Sequence, residues 1–249
     1  MTRTHRIPIA DAGTGTETDT ATQTVAAVDH AAASDDWLVF CHGLRSDKSG
    51  SYERRCRRAV EEGYNAVRFD CRGCGESDGT FAASTLEARL TDLRHVVDYF
   101  DLDSYALFGS SFGGTVALHT AAVDDRVTAV ATRAPVTTAG TFDEPRAAVE
   151  RDGEWTFDTG ERLDHRFFES LDRHPFDDVV GSLSAPVAIF HGGDDAVVDP
   201  ADSFDAAKRL ETDVSLERFA GEGHRFSRAG ERRLLERLFD WLEWVERRH

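Results

Sequence analysis

The chain has 249 residues, of which 40% are hydrophobic and 30% are charged, which allows one large domain or two small ones and excludes a peptide hormone or a fibrous repeat. No run approaches the roughly 18 apolar residues of a membrane span, and residues 1–12 lack the apolar stretch of a signal peptide. We therefore expect no membrane partner, no secretion and a cytoplasmic location.

The formal net charge is −17, and only two of the 29 basic residues, Lys48 and Lys208, are lysines. An acidic surface repels phosphate backbones, so we expect no nucleic-acid partner. An acid-rich, lysine-poor composition resembles that of proteins from concentrated salt, and we favour this halophilic interpretation over an ordinary acidic cytosolic protein. Such a surface repels itself in dilute buffer, where the Debye length is longer. The sequence does not indicate the oligomeric state.

Predicted elements begin with an edge hairpin over residues 7–9 and 25–28, with a polar turn at 12–20. From Trp37 onward, short apolar runs alternate with helical periodicity, which predicts βα units and a largely parallel sheet. Strands are predicted at 37–41, 66–70, 105–109, 127–132, 186–191 and 215–219. Apolar residues at helical spacing predict helices over 86–100, 115–122 and 234–245 that cover the sheet faces.

The alternation stops between residues 135 and 184, where no clear strand is predicted and aromatic residues are interspersed with charges. Long insertions in compact α/β domains commonly form lids or binding loops. We therefore predict a single domain over residues 1–249 with a lid insertion over about 135–184. Its aromatic side chains either offer an apolar surface to a substrate or pack onto the main core.

The four cysteines are too few for a disulfide framework in a chain of this length. Cys71 and Cys74 form a CxxC pair, but a zinc site of this kind needs a second pair, which the chain lacks. We expect no metal and no cofactor, and we interpret the pair as two small thiols in a loop.

Residues 109–113, Gly-Ser-Ser-Phe-Gly, form a G-x-S-x-G motif between a predicted strand and a predicted helix. In that context the central serine lies on a sharp, strained turn that needs small neighbours and exposes the hydroxyl group. Ser110 occupies the second position of the motif, so Ser111 is the candidate nucleophile.

A serine hydroxyl needs a base to remove its proton, and the base needs an acid to orient it. Two downstream loops supply these residue types at the carboxyl ends of predicted strands, where ligands bind in open α/β sheets. The first contains Asp194, Asp195 and Asp199, and the second ends in His224.

The loop after the strand at 37–41 begins His42-Gly43-Leu44. A glycine there lets the backbone approach a ligand closely. We predict that the backbone N–H groups of Leu44 and Phe112 form an oxyanion hole for a tetrahedral intermediate.

Together these motifs resemble the α/β-hydrolase superfamily, from about residue 37 to the C-terminus, with the family's chain order of Ser, Asp and His. Residues 68–79 resemble its D-x-R-G-x-G-x-S segment. Residues 41–48 resemble a loop of small-lid acyl esterases, cinnamoyl esterases and acyl-protein thioesterases of the mitochondrial depalmitoylase type. The resemblance implies an α/β-hydrolase fold with a mostly parallel central sheet, helices on both faces and a small lid insertion. It places the acid of H-G-x-x-D-x-x-V at Asp195 and the histidine at His224.

We expect a serine hydrolase that cleaves small-molecule carboxylic esters or thioesters. A serine peptidase of the aminopeptidase or prolyl-oligopeptidase type would use the same three side chains, and carboxylates in the lid could hold a substrate amine. A non-catalytic hydrolase-like binding module is the third alternative. The neighbouring residues His42, His191, Asp70 and Arg72 are expected to brace loops.

Overall fold

The computed structural model describes residues 1–9 and 22–248. Its strands are β1 (Thr2–Ile9), β2 (Gln23–His30), β3 (Trp37–Cys41), β4 (Asn65–Phe69), β5 (Tyr105–Ser110), β6 (Val127–Arg133), β7 (Glu154–Thr156), β8 (Arg162–Asp164), β9 (Val187–Gly192) and β10 (Val214–Phe219). Its helices are α1 (Ser51–Glu61), α2 (Leu86–Tyr99), α3 (Phe112–Ala121), α4 (Asp143–Asp152), α5 (His165–Arg173), α6 (Phe176–Val180), α7 (Pro200–Arg209) and α8 (Arg228–Glu246).

An eight-stranded sheet in the order β1-β2-β4-β3-β5-β6-β9-β10 forms the centre of the protein. From β4 to β10 neighbouring strands are parallel, because helices carry the chain back across the sheet between them. The β1–β2 hairpin is antiparallel and pairs Ile7 with Val25. This confirms the predicted edge hairpin, whose turn at 12–20 lies outside the described residues. All six predicted parallel strands are present, with bounds within one residue of those expected.

The hydrophobic core has two parts, one on each face of the sheet. Alternate residues of β3 show the division, since Val39 packs toward α2 and α3 whereas Phe40 packs toward α1 and α8. Helix α2 lies where apolar spacing predicts it, whereas α3 begins three residues and α8 six residues before the predicted starts at 115 and 234. Leu93 and Leu238 are fully buried. None of the helices in the described ranges is both long and apolar enough to cross a bilayer.

The segment between β6 and β9 holds α4, the β7–β8 hairpin, α5 and α6. The expectation of no strand there is wrong, because β7 and β8 form a small antiparallel sheet. Each has three residues, too short for alternation of apolar and polar residues to reveal it. Phe142, Phe167 and Phe168 of this segment are buried against the main core, so these three rings do not form an open surface.

Candidate active site

Ser111 lies on the turn between β5 and α3 with φ 54° and ψ −124°, a conformation that costs a non-glycine residue energy. Its N–H donates to the carbonyl of Arg133 at 2.8 Å, which ties the turn to β6. The flanking glycines are required by space: a Cβ on Gly109 would collide with the backbone of Gly113, and a Cβ on Gly113 with the carbonyl oxygen of Cys41. These close approaches explain the small residues of the motif.

Ser110 faces the opposite side of the turn from a substrate. Its hydroxyl is 1% exposed and accepts a hydrogen bond from Arg55 Nη1 at 3.0 Å. Arg55 is itself fully buried and paired with Glu231. Between the two serines of the motif, Ser111 is therefore the one whose hydroxyl a substrate can reach.

Asp195 follows β9, accepts three hydrogen bonds and lies within ion-pair distance of His191. Its Oδ1 takes the backbone N–H groups of Val197 at 2.8 Å and Val198 at 3.0 Å. Its Oδ2 lies 2.8 Å from Nδ1 of His224 and 3.2 Å from Nε2 of His191. Burial alone would raise the pKa of Asp195, but these hydrogen bonds outweigh it and hold the pKa far below its usual range. The carboxylate therefore stays ionised.

The other acids of this loop have different surroundings. Asp199 caps the N-terminus of α7, where its carboxylate accepts the N–H of Ala201 at 2.9 Å. Asp194 is exposed to solvent, and its N–H binds the carbonyl of Glu222 at 2.9 Å. The structure thus pairs His224 with Asp195, the acid that the resemblance indicated.

His224 lies in the loop after β10 with 18% of its side chain exposed. A carboxylate only accepts hydrogen bonds, so Nδ1 of His224 carries the proton toward Asp195 and Nε2 keeps its lone pair. Within the described ranges no hydrogen bond joins Ser111 to His224. Such a contact is commonly long before substrate binds. Asp195 and His224 are thus hydrogen-bonded to each other, and Ser111 follows β5, which β6 separates from β9 in the sheet.

Gly43 packs directly against the elbow, since a Cβ at this position would lie 3.5 Å from Cβ of Ser111. The next residue is Leu44, one predicted oxyanion donor. The other, Phe112, is the first residue of α3, whose first N–H groups have no acceptor within the helix. In the part of the chain that the structure describes, neither N–H donates a hydrogen bond. Both donors therefore remain available to a ligand near Ser111.

His42 braces the same loop, as expected. Its Nδ1 donates to the carbonyl of Gly43 at 2.8 Å, and its Nε2 accepts the N–H of Cys71 at 3.0 Å. Burial, with a contribution from Arg89, lowers the pKa of His42 to about 3. A permanently neutral imidazole thus connects the end of β3 to the end of β4.

The three other expected bracing residues also hold loops. His191 hydrogen-bonds the hydroxyl of Ser203 at 2.6 Å and the carbonyl of Val198 at 3.1 Å. Asp70 is fully buried and accepts the backbone N–H and the ammonium group of Lys48, both at 2.6 Å. Arg72 pairs with the buried carboxylate of Asp92 at 2.7 Å. The thiols of Cys71 and Cys74 are buried beside them, and burial raises the pKa of both. Among the described residues no group of three or more His, Cys, Asp or Glu side chains is placed to hold a metal ion.

The β7–β8 hairpin, which lies in the predicted lid insertion, touches the loop that carries Leu44. Arg45 lies over the ring of Phe157 at 4.5 Å and pairs with Asp158 at 2.9 Å. Both partners lie in the turn between β7 and β8. This contact places the lid turn beside the predicted oxyanion hole.

Sequence reasoning named His191 only as a loop brace, and it missed three features around this site: the contact of His191 with Asp195, the pair of Arg55 with Glu231 and the burial of Arg89. Neither the contact of His191 with Asp195 nor the pairing of Arg55 with Glu231, 176 residues away, leaves a local pattern in the chain. The third is Arg89, whose place on the buried face of α2 could have been found from the helical spacing of Leu86 and Leu93.

Comparisons with known proteins agree with this architecture. Residues 36–173 match a family model described as alpha/beta hydrolase fold. The chain is 29% identical over 225 residues to the human palmitoyl-protein thioesterase ABHD10, mitochondrial, covering 82% of this chain and 72% of that protein. It is 28% identical over 190 residues to the mouse counterpart, covering 70% of this chain and 63% of the relative.

Among solved structures, Est1E from Butyrivibrio proteoclasticus with bound ferulic acid superposes with a TM-score of 0.80 at 21% identity, covering 91% of this chain and 97% of that chain. At this identity the likeness concerns the fold. The family model covers more than half of the chain. The chain therefore belongs to the α/β-hydrolase fold family and is an enzyme of this class.

Proposed function

We propose that the enzyme cleaves carboxylic esters or thioesters through an acyl-enzyme on Ser111. The observation that carries the proposal is the 2.8 Å hydrogen bond between Asp195 and His224, together with a serine on a strained strand-to-helix turn at the same edge of the parallel sheet. An ionised acid, an oriented imidazole and a partly exposed hydroxyl are the parts that acyl transfer needs.

In the proposed reaction, His224 Nε2 takes the proton of Ser111 as its oxygen attacks the acyl carbon. The oxyanion that forms accepts hydrogen bonds from the N–H groups of Leu44 and Phe112. Asp195 stabilises the imidazolium, which then passes the proton to the leaving alcohol or thiol. Water deacylates the enzyme by the same route, and the chemistry requires neither a metal nor a cofactor.

A thioester or an aryl ester is the favoured substrate class. The relatives at 28% and 29% identity are palmitoyl-protein thioesterases, and the structural neighbour Est1E binds ferulic acid. Beside Arg45, the partly buried rings of Trp155 and Phe157 lie in the lid hairpin close to the oxyanion loop. Aromatic rings at that position suit an apolar or aryl acyl group.

The peptidase alternative has less support. Four lid carboxylates could hold a substrate amine: Glu144, Glu150, Glu154 and Asp158. Two of them are already paired, Asp158 with Arg45 and Glu154 with Arg162. Occupied carboxylates are poorer anchors for an ammonium group.

The net charge of −17 disfavours nucleic acid and anionic membrane surfaces as partners. We further propose a cytoplasmic location and a small-molecule substrate. Recovery in the cytosolic fraction of the source cells, without pelleting with membranes or nucleic acid, would be the expected result.

The test is hydrolysis of p-nitrophenyl esters of graded acyl length, S-acyl thioesters and aminoacyl anilides in molar salt. Ser111→Ala should abolish turnover and labelling by a fluorophosphonate probe. Ser110→Ala is the matched control and should keep both, because its hydroxyl faces Arg55. Anilide turnover would reassign the enzyme as a peptidase. No turnover and no labelling of the wild type would favour a binding module.

A further inference from the structure

Arg89 is a fully buried arginine in the middle of α2. An arginine side chain stays charged in proteins, so its burial calls for compensation. The neighbouring buried Arg72 obtains this from the carboxylate of Asp92 at 2.7 Å. Arg89 instead donates to neutral groups, and most of these are backbone carbonyls.

Those carbonyls belong to three consecutive residues of the predicted oxyanion loop. Nη2 of Arg89 donates to the carbonyl of Leu44 at 2.9 Å, and Nη1 lies 3.3 Å from that of Gly43 and 3.5 Å from that of His42. Nε donates to Oγ of Ser84 at 3.0 Å, which fixes the guanidinium from its other side. The planar guanidinium of Arg89 therefore contacts the carbonyl oxygens of all three residues 42–44.

The orientation of these carbonyls fixes the orientation of the N–H groups. In a trans peptide the C=O of one residue and the N–H of the next point in opposite directions. The carbonyl of Gly43 is held by Arg89 and also by Nδ1 of His42 at 2.8 Å. The N–H of Leu44 shares that peptide plane and must therefore point away from Arg89. Gly43 itself packs against Ser111.

Arg89 also touches the second predicted donor residue. Its guanidinium lies 5.4 Å from the centre of the Phe112 ring, within the range of a cation–π contact. Arg89 therefore contacts both predicted donor residues, Leu44 through its carbonyl group and Phe112 through its ring.

The charge has an electrostatic consequence as well. A cation at the carbonyl end of a peptide draws electron density toward itself and makes the N–H at the other end a stronger donor. Buried surroundings preserve this effect, because little water screens it. The Gly43–Leu44 peptide can in this way transmit part of the Arg89 charge to an oxyanion.

We propose that Arg89 is a positioning residue for the oxyanion hole, which sets and polarises the Leu44 peptide so that it binds the tetrahedral intermediate more tightly than the substrate. This inference rests on the proposed function of Ser111. It assigns to α2 a part in the reaction that no catalytic motif indicates.

The test compares wild type, Arg89→Met and Arg89→Lys in one ester hydrolysis assay. We measure kcat, KM and the inhibition constant of an arylboronic acid, which forms a tetrahedral adduct on a serine. Loss of one oxyanion donor costs about 10²- to 10³-fold in kcat, and an indirect effect should be smaller. For Arg89→Met we expect a loss of about 10- to 100-fold in both kcat and boronate affinity, with KM within about threefold.

Arg89→Lys keeps the charge but cannot bind three carbonyls in one plane, so its values should fall between those of wild type and Arg89→Met. Arg72→Met is the matched control, because it removes a neighbouring buried guanidinium that contacts Asp92. It should lose thermal stability and keep its boronate affinity. Thermal unfolding confirms that each variant is folded before it is assayed.

The outcomes separate the two proposals. Absence of Ser111-dependent turnover in the wild type would refute the proposed function itself. If the wild type is active and folded Arg89→Met keeps kcat and boronate affinity within twofold, the positioning role is wrong. A parallel loss in Arg72→Met would assign the effect to general destabilisation. If Arg89→Met does not fold, Arg89→Lys tests the positioning role instead. For this variant we expect a loss of at least about fivefold in both kcat and boronate affinity.

Discussion

Replacing Asp195 by asparagine should inactivate the enzyme while leaving the loop intact. Oδ1 of Asp195 accepts two backbone N–H groups, from Val197 and Val198, so the asparagine oxygen must take that place. The amide NH₂ then replaces Oδ2 and faces His224 and His191 with donors instead of an acceptor. Nδ1 of His224 must accept, and its proton moves to Nε2. The imidazole then cannot take the proton of the serine.

The size of the expected loss in kcat follows from this change of tautomer. Where a triad acid has been changed in this way, kcat falls about 10⁴-fold, and at 1.36 kcal/mol per tenfold change this is about 5 kcal/mol of transition-state stabilisation. The free energy of unfolding should change far less, because both backbone hydrogen bonds to residue 195 survive. The assay is kcat on a p-nitrophenyl ester at pH 7 to 8, together with the rate of fluorophosphonate labelling.

Asp194→Asn is the matched control, since Asp194 is adjacent and exposed. It should retain kcat within about twofold, in line with a surface position. A loss below tenfold for Asp195→Asn, or an equal loss for Asp194→Asn, would refute the assignment of the acid.

Three further predictions concern stability. Ser111→Gly should raise the free energy of unfolding by about 1 kcal/mol relative to Ser111→Ala, because glycine adopts φ 54° without strain; equal values from denaturant titration would contradict this. His42 has a folded pKa of about 3, so below pH 6.5 the unfolded chain binds a proton that the folded protein does not, and stability should fall by up to about 1.4 kcal/mol per pH unit. His42→Asn should flatten this dependence between pH 6.5 and 4 in denaturant titrations, and an unchanged slope would disprove it. The thermal midpoint should rise between 0.1 and 2 M KCl, since salt screens the repulsion of a chain with net charge −17; a falling midpoint would show that screening of surface ion pairs dominates.

The sheet could be predicted because each buried strand is a short apolar run bounded by turn residues, as in Trp37–Cys41 and Tyr105–Ser110. The placement of Ser111, Asp195 and His224 could be predicted for a related reason. Parallel strands end at one edge of the sheet, and each of the three residues follows a strand end.

Other features depend on contacts that no local pattern encodes. The aromatic rings at 142, 167 and 168 have the same spacing whether they face a substrate or the core, and only packing shows that they are buried. Similarly, Arg55 is one of many arginines in the chain, and its partner Glu231 lies 176 residues away, so no local pattern reveals this buried pair. Charged residues on a predicted helix are ordinarily assigned to its exposed side.

The four buried cysteines give the enzyme internal reporters of its own local opening. Cys41, Cys71 and Cys74 lie near the loop that follows β3, whereas Cys56 lies in α1 on the other face of the sheet. Burial raises the pKa of the Cys41 and Cys56 thiols to about 12, so they react with a disulfide reagent only after the structure opens around them. The rates at which individual thiols are modified therefore compare how often each face of the molecule opens, without any engineered label.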